Sequence, residues 1–144
     1  MILKILVLLH ILAATIWTGG HLILSLGFLP AALRQNDIRI VRQFESRYEG
    51  IGIPALIVLL ATGIYFIRVY APDIFLFDLS DHYTRHLLIK LLLLAATVTL
   101  AIHARLVLIP KEKLRPLAYH IVAVTILSVL FVVVGYSARG GGLL

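Results

Sequence analysis

The six histidines are the side chains of this sequence best suited to chemistry, and two of them lie in one apolar segment. His10 and His21 are eleven residues apart, so at about 100° per residue their imidazoles share one face of a helix. Trp17 lies on the same face. At about 1.5 Å per residue the two rings are roughly 16 Å apart, which excludes a shared ion. Gly19 and Gly20 beside His21 leave room for a flat ligand or a neighbouring helix.

Three histidines from different segments are expected at one depth. His21 lies in the second half of the first apolar segment, His103 near the end of the third and His120 near the start of the fourth. In antiparallel helices these positions come to the same end. Imidazole is a ligand for zinc, copper and iron, so we expect the three to share a metal ion or a haem. The alternative is that each histidine only reaches lipid headgroups or a backbone carbonyl.

Two carboxylates are expected at the same end as these histidines. Glu45 and Glu49 are one turn apart at the start of the second segment and face one way. They would complete a metal site or hold the other ring nitrogen of a ligating histidine. Ion pairs with Arg42 and Arg47 are the alternative, which we favour for Glu45. Arg47, Trp17 and Lys90 are further candidates for contact with the ligand.

A smaller group of polar side chains is expected at the opposite end. His10, His86 and Lys90 lie there, and the last two are one turn apart. We expect Lys90 to extend its ammonium group to the membrane surface and His82 to be solvated. His10 is expected to serve as an outer relay for the inner site.

The composition indicates that all these residues belong to a membrane protein. Hydrophobic residues make up 61% of the 144 residues, charged residues 14%, and the mean hydropathy is +1.04. These values exclude a soluble globular enzyme. The absence of cysteine excludes disulfides and thiolate sites, and Met1 as the sole methionine excludes a thioether ladder for Cu(I). The net charge of +6 comes from basic residues between apolar runs, which predicts membrane topology rather than nucleic-acid binding.

Four apolar runs are long enough to cross a bilayer. We expect helices at about residues 3–33, 45–69, 85–108 and 116–138, in one transmembrane domain that covers residues 1–144. The first run is too long for a signal-peptide core and is expected to be retained. The predicted fold is all-α, an integral membrane four-helix bundle with up-down antiparallel topology. The glycines at 140–142 are expected to be a frayed end.

The distribution of basic residues predicts the orientation of the bundle. Eight lie in the two connections on one side and five on the other, which favours the first side inside and both termini in the periplasm. The first set is Arg34, Arg39, Arg42, Arg47, Arg105, Lys111, Lys113 and Arg115, and the second is Lys4, Arg68, Arg85, Lys90 and Arg139. The connection at residues 70–85, rich in aspartate and aromatic residues, is expected to lie along the outer interface.

Several motifs, in their order and spacing, resemble the copper resistance protein D (CopD) family in its short, stand-alone four-helix form. The resemblance covers nearly the whole chain. The motifs are Leu9-His10, Trp17-Thr18-Gly19-Gly20-His21, Leu29-Pro30, Phe44-Glu45-Ser46-Arg47-Tyr48, Ala61-Thr62-Gly63, Leu88-Ile89-Lys90-Leu91, His103-Ala104-Arg105 and Tyr119-His120-Ile121. The resemblance implies a multi-pass protein of the bacterial inner membrane that is linked to copper handling.

A more distant similarity connects the chain to HemJ-type protoporphyrinogen oxidases. It is carried by His10, Trp17, Gly19 and Lys90, and it implies b-type haem in the bundle. Two hypotheses therefore stand side by side. In the first, His21, His103 and His120 bind copper, and because sulfur ligands are lacking the site suits Cu(II) or zinc better than Cu(I). In the second, histidines on facing helices hold haem in a membrane cytochrome.

A third hypothesis is an accessory subunit of a larger membrane complex, in which the histidines only pack. Ser128 and Ser137 have no histidine one turn away on the same helix, and no phosphate-binding loop is present. Hydrolysis is therefore unsupported, and the sequence leans against an enzyme unless haem makes it an oxidoreductase. The expected partners are the lipid bilayer and a metal ion or haem, without nucleic acid. Assembly into a homo-oligomer or a larger complex is left open.

Overall fold

Four long helices make up nearly all of the structure, a computed structural model that describes residues 1–72 and 81–140. They are α1 (Ile2–Gln35), α2 (Arg39–Tyr70), α3 (His82–Leu108) and α4 (Leu114–Gly140), and no strand occurs within the described ranges. Each helix contains an apolar window long enough to cross a membrane. Large apolar side chains such as Leu26, Leu92 and Leu106 are exposed on the outside. The all-α membrane bundle predicted from the sequence is confirmed.

The helices extend beyond the apolar runs that predicted them. α2 begins at Arg39 rather than near residue 45, and α4 begins at Leu114 and continues to Gly140. α3 begins at His82, because the Asp81 carboxylate accepts a hydrogen bond from the Thr84 backbone N–H at 2.7 Å. The apolar runs mark only the part of each helix suited to hydrocarbon. Residues 73–80 of the predicted interfacial stretch at 70–85, and glycines 141 and 142, lie outside the described residues.

The turn between α1 and α2 is closed by a left-handed residue. Asn36 has φ 49°, a conformation that asparagine tolerates better than most residues. The Asp37 N–H then donates to the Ala32 carbonyl oxygen at 3.0 Å. The Arg39 side chain and backbone N–H donate to the Asp37 carboxylate and hold its pKa below the ordinary value. Three residues are therefore enough to reverse the chain.

The turn between α3 and α4 is tied to α2. Glu112 has φ 51°, and the Lys113 N–H donates to the Leu108 carbonyl oxygen at 3.0 Å. The Arg42 guanidinium donates to the Ile109 carbonyl oxygen at 2.7 Å and to the Glu112 carboxylate at 3.2 Å. Both short turns therefore lie at the same end of the bundle, which we call the short-turn end.

The packing of the four helices is uneven. α1 packs chiefly on α2 and also on α4, α3 packs on α4, and α2 and α3 barely touch. The buried core lies toward the short-turn end and consists of Leu24, Leu29, Ala32, Ile38, Val41, Leu108, Leu114, Leu117, Ala118 and Ile121. The bundle is consequently open on one side, between α2 and α3.

Both α1 and α3 contain a π-helical turn close to a predicted site histidine. These turns span Leu24–Phe28 and Ala104–Leu108, shortly after His21 and directly after His103. Each ends two residues before a proline, at positions 30 and 110. Since proline has no N–H to donate back along the helix, regular α-helical bonding is interrupted there. π-helical turns occur often at functional sites.

Candidate functional site

A cavity of about 290 Å³ lies among the four helices toward the short-turn end. Its walls are mainly apolar, and every helix contributes at least one polar side chain. The polar and aromatic residues of the lining are Trp17 and His21 from α1, Phe44, Glu45, Tyr48 and Glu49 from α2, Thr97 and Arg105 from α3, and His120 from α4. Because α2 and α3 barely touch, the cavity lies behind the open side of the bundle.

His103 and His120 are in direct contact across α3 and α4. The distance from His103 Nδ1 to His120 Nε2 is 2.8 Å. His120 Nδ1 lies 3.0 Å from the Pro116 carbonyl oxygen, which only accepts, so this nitrogen carries the proton. In the neutral pair, His103 Nδ1–H therefore donates to His120 Nε2, and His103 Nε2 keeps its lone pair. His103 is exposed on the bundle surface, while His120 lines the cavity.

His21 lines the same cavity from α1. Its Nδ1 donates to the Trp17 carbonyl oxygen at 2.8 Å, which leaves Nε2 as the nitrogen with a lone pair. The imidazole lies against the Trp17 ring, with the centroids 4.6 Å apart, and meets the Tyr48 ring edge-on. Within the described ranges, no three histidine or carboxylate groups lie close enough together to hold a metal ion. The structure thus pairs two of the three predicted ligands and places the third in the adjoining cavity.

The two predicted carboxylates differ in their environment. Glu49 forms an ion pair with Arg105 and so bridges the gap between α2 and α3. Glu45 lines the cavity and forms no direct ion pair with any described residue. The predicted pairs with Arg42 and Arg47 are wrong. Arg42 binds the turn between α3 and α4, and Arg47 lines a separate groove instead of the cavity.

Tyr48 is a site residue that sequence analysis missed. Its ring fills the space beside Gly20, where a Cβ atom would collide with it, and its hydroxyl donates to the Ile16 carbonyl oxygen at 3.0 Å. At Gly19, by contrast, a Cβ atom would have no neighbour within 4 Å. Gly20 alone of the two glycines therefore admits a side chain of the neighbouring helix. The four-residue spacing of Phe44 and Tyr48 was the available signal, since it places two aromatic rings on one face of α2.

His10 lies away from the cavity, between α1 and α2. Its Nδ1 donates to Thr62 Oγ1 at 2.7 Å, because the Thr62 hydroxyl itself donates to the Val58 carbonyl oxygen at 2.6 Å. The His10 ring also contacts Phe66. His10 and His21 both face α2, as their shared helix face predicts. His10 does not line the cavity, and its role as an outer relay stays a prediction.

The most deeply buried histidine is one that the sequence did not emphasise. His86 is 1% exposed, and its Nδ1 donates to the His82 carbonyl oxygen at 2.7 Å. Its Nε2 accepts from the Ser137 hydroxyl at 3.1 Å. A serine–histidine pair thus exists, contributed by α3 and α4 rather than by one helix. Ser137 is completely buried, so the pair joins the two helices and offers no access to a substrate.

Two expectations for the end opposite the short turns need correction. His82 is half-buried rather than fully solvated: its ring packs on His86 with centroids 4.2 Å apart, and its Nε2 lies 3.4 Å from the Ala138 carbonyl oxygen. Lys90 does not simply extend along the lipid surface. Its ammonium group lies beside Gly135 of α4, 3.5 Å from where a Cβ atom would be. Both side chains therefore face α4, whose apolar window is the most buried of the four.

The family model described as copper resistance protein D matches residues 42–138, more than half of the chain. The chain belongs to the CopD family. No curated protein and no solved structure matches the sequence. The CopD match includes Glu45, Glu49, His103 and His120 but neither histidine of α1. This makes the chain a copper-resistance-related membrane protein, and the paired histidines lie inside the matched range.

Proposed function

We propose that this CopD-family protein binds copper as Cu(II), or a similar divalent ion, at the short-turn end of the bundle. His103 and His120 are the primary ligands. The single observation that supports this most strongly is the 2.8 Å contact between their ring nitrogens, contributed by two helices inside the family-matched region. Membership of the CopD family supports copper as the ion.

The donor atoms fit such an ion. Metal–nitrogen bonds of about 2.0–2.1 Å separate two ligating nitrogens by about 2.9 Å at the right angle of a square-planar Cu(II) site and by about 3.3 Å at the tetrahedral angle of a zinc site. The His103 and His120 nitrogens, 2.8 Å apart, therefore need to move by about half an ångström at most. Imidazole and carboxylate suit Cu(II) and zinc, whereas Cu(I) favours sulfur, which the sequence lacks apart from Met1. A bound ion takes the place of the proton that the two rings share.

The other polar residues of the cavity have supporting roles in this proposal. His21 is held by the Trp17 carbonyl oxygen through Nδ1, so its Nε2 is the third candidate ligand. Glu45 supplies negative charge to the cavity, because its carboxylate forms no ion pair with a described residue. Glu49 and Arg105 neutralise each other and bridge α2 to α3 on the open side. Arg47 and Lys90 lie outside the cavity lining and are not assigned to the ion.

Haem does not fit the paired histidines. The two axial ligands of one haem lie on opposite faces of the ring, and rings already in hydrogen-bond contact leave no space between them. The proposal therefore places copper before haem. It also places the short-turn end on the cytoplasmic side of the bacterial inner membrane, with both termini in the periplasm, on the strength of the basic residues.

The test is metal occupancy after purification and loading with Cu(II). His103→Ala and His120→Ala should each lower copper occupancy at least tenfold, because either change leaves a single imidazole of the pair. Glu45→Gln should weaken affinity on the order of 10- to 100-fold. His10→Ala is the matched control, since it removes a half-buried histidine outside the cavity, and it should leave occupancy unchanged.

Two outcomes contradict the proposal. Equal copper occupancy in the wild-type protein and both pair variants would leave these histidines as packing groups. Iron together with a Soret band in the visible spectrum would identify a cytochrome instead. Circular dichroism of each variant establishes that the helices are intact, so that a loss of metal is not a loss of fold.

A further inference from the structure

A second groove, of about 310 Å³, lies on the outside of the bundle between α1 and α2 near the short-turn end. It is lined by Phe28, Gln43, Phe44, Arg47, Tyr48 and Ile51. We propose that this groove binds an anionic phospholipid. The lipid phosphate contacts Arg47 and Gln43, and an acyl chain lies along Ile51 and the aromatic wall.

Along the helix axis the groove changes from polar to apolar, in the same order as a lipid changes from headgroup to acyl chain. Gln43, Arg47 and Ile51 are spaced by four residues and form one stripe on α2. At about 1.5 Å per residue the stripe covers about 12 Å, from the polar start of the helix into its apolar part. A headgroup and the first part of an acyl chain need a polar-to-apolar site of this kind.

The wall of the groove is aromatic and packed. The rings of Phe28 and Phe44 are 5.0 Å apart, and Phe44 stacks on Tyr48 at 5.5 Å. Tyr48 is fixed in turn by its hydroxyl bond to α1. The wall is therefore held in place by contacts within the protein, and an acyl chain meets a formed surface.

Charge selects an anionic lipid. Arg39, Arg42 and Arg105 at this end of the bundle each pair with a carboxylate. Arg47 is exposed and pairs with no carboxylate in the part of the chain that the structure describes. A guanidinium donates two parallel hydrogen bonds to a phosphate, and net negative charge adds attraction that a zwitterionic lipid lacks.

The polar part of the lipid site is separate from the proposed copper site. Phe44 and Tyr48 line both the groove and the cavity that contains the histidines, whereas Arg47, Gln43 and Ile51 line the groove alone. Loss of the Arg47 side chain would therefore leave copper occupancy unchanged, and the two proposals fail independently.

Native mass spectrometry of the protein with phosphatidylglycerol or phosphatidylcholine tests the proposal. Wild-type protein should retain phosphatidylglycerol preferentially, and Arg47→Gln should reduce that preference about fivefold, the effect of one basic residue near an anionic surface. Arg47→Lys should fall between the two. Arg34→Gln is the matched control, because Arg34 is exposed at the same end, has no carboxylate partner among the described residues and lies outside the groove.

A preference that falls equally in the Arg47 and Arg34 variants would show diffuse attraction and overturn the site. Equal retention of the two lipids by the wild-type protein would also overturn it.

Discussion

At the cavity, the position of each proton is set by a carbonyl oxygen nearby. The Pro116 carbonyl fixes the proton of His120 on Nδ1, and the Trp17 carbonyl does the same for His21. Each ring therefore presents Nε2 as its acceptor. Each of these histidines bonds the carbonyl one turn back along its own helix, and that local bond orients two imidazoles that the sequence analysis selected only for their depth.

The position of Tyr48 beside Gly20 yields a prediction at the scale of one residue. Gly20→Ala should destabilise the protein by about 1–3 kcal/mol, because the added methyl group collides with a ring held between two helices. Gly19→Ala is the matched control: it meets nothing within 4 Å and should be neutral or stabilise by up to about 1 kcal/mol through helix propensity.

Thermal unfolding in one detergent measures both glycine variants. A midpoint for Gly20→Ala that equals or exceeds that of Gly19→Ala would mean that the Tyr48 ring does not fill the space beside Gly20.

At the scale of elements, the sequence predicted the helices better than their ends. Apolar runs locate the membrane-crossing part of each helix, because hydrocarbon excludes charge. The first turns of α2 and α4 contain charged residues, so the apolar runs do not mark where these helices begin. The side-chain pairs between helices were the other feature that the sequence did not predict. Glu49 binds Arg105 of α3 instead of a neighbour on α2, and Ser137 binds His86 across helices. Such partners depend on helix rotation, which hydrophobic periodicity barely defines in a chain apolar on most faces.

The start of α3 yields a prediction about pH. The backbone N–H of Thr84 holds the pKa of the Asp81 carboxyl below its ordinary value. A carboxyl with a lowered folded pKa stabilises the helix start at pH values above its unfolded pKa. That contribution is lost as the pH falls through the lowered folded pKa. Hydrogen exchange of the first turn of α3 should therefore accelerate in acid in the wild-type protein.

Asp81→Asn tests the same cap, since an amide oxygen still accepts the hydrogen bond but does not titrate. First-turn exchange in this variant should lack the acid-dependent acceleration. If the wild-type and Asp81→Asn proteins respond identically to acid, the carboxylate does not cap α3.

At the scale of the whole molecule, the basic residues predict how the bundle lies in the membrane. Eight Lys and Arg residues on the side of the short turns against five on the other favour a cytoplasmic short-turn end. Reporter fusions after Arg39 and after Lys113 should behave as cytoplasmic, and a fusion at the C-terminus as periplasmic. The reverse pattern would place the paired histidines on the periplasmic side.

The arrangement of the whole bundle also explains which part of the candidate site could be foreseen. Antiparallel order alone brings His21, His103 and His120 to one end, and the structure places all three there. Antiparallel order could not specify that only His103 and His120 touch, because that contact depends on the close packing of α3 on α4 and on the gap between α2 and α3. The same gap leaves the cavity open toward the bilayer.

The central claim is that two imidazoles from α3 and α4 hold one copper ion, and the electron paramagnetic resonance spectrum of the Cu(II)-loaded protein tests it most directly. Nitrogen couplings count the ligating imidazoles. The wild-type spectrum should show at least two, His103→Ala and His120→Ala should each lose one, and His10→Ala should match the wild type. A wild-type spectrum without nitrogen coupling, or one left unchanged by both pair variants, would contradict the claim.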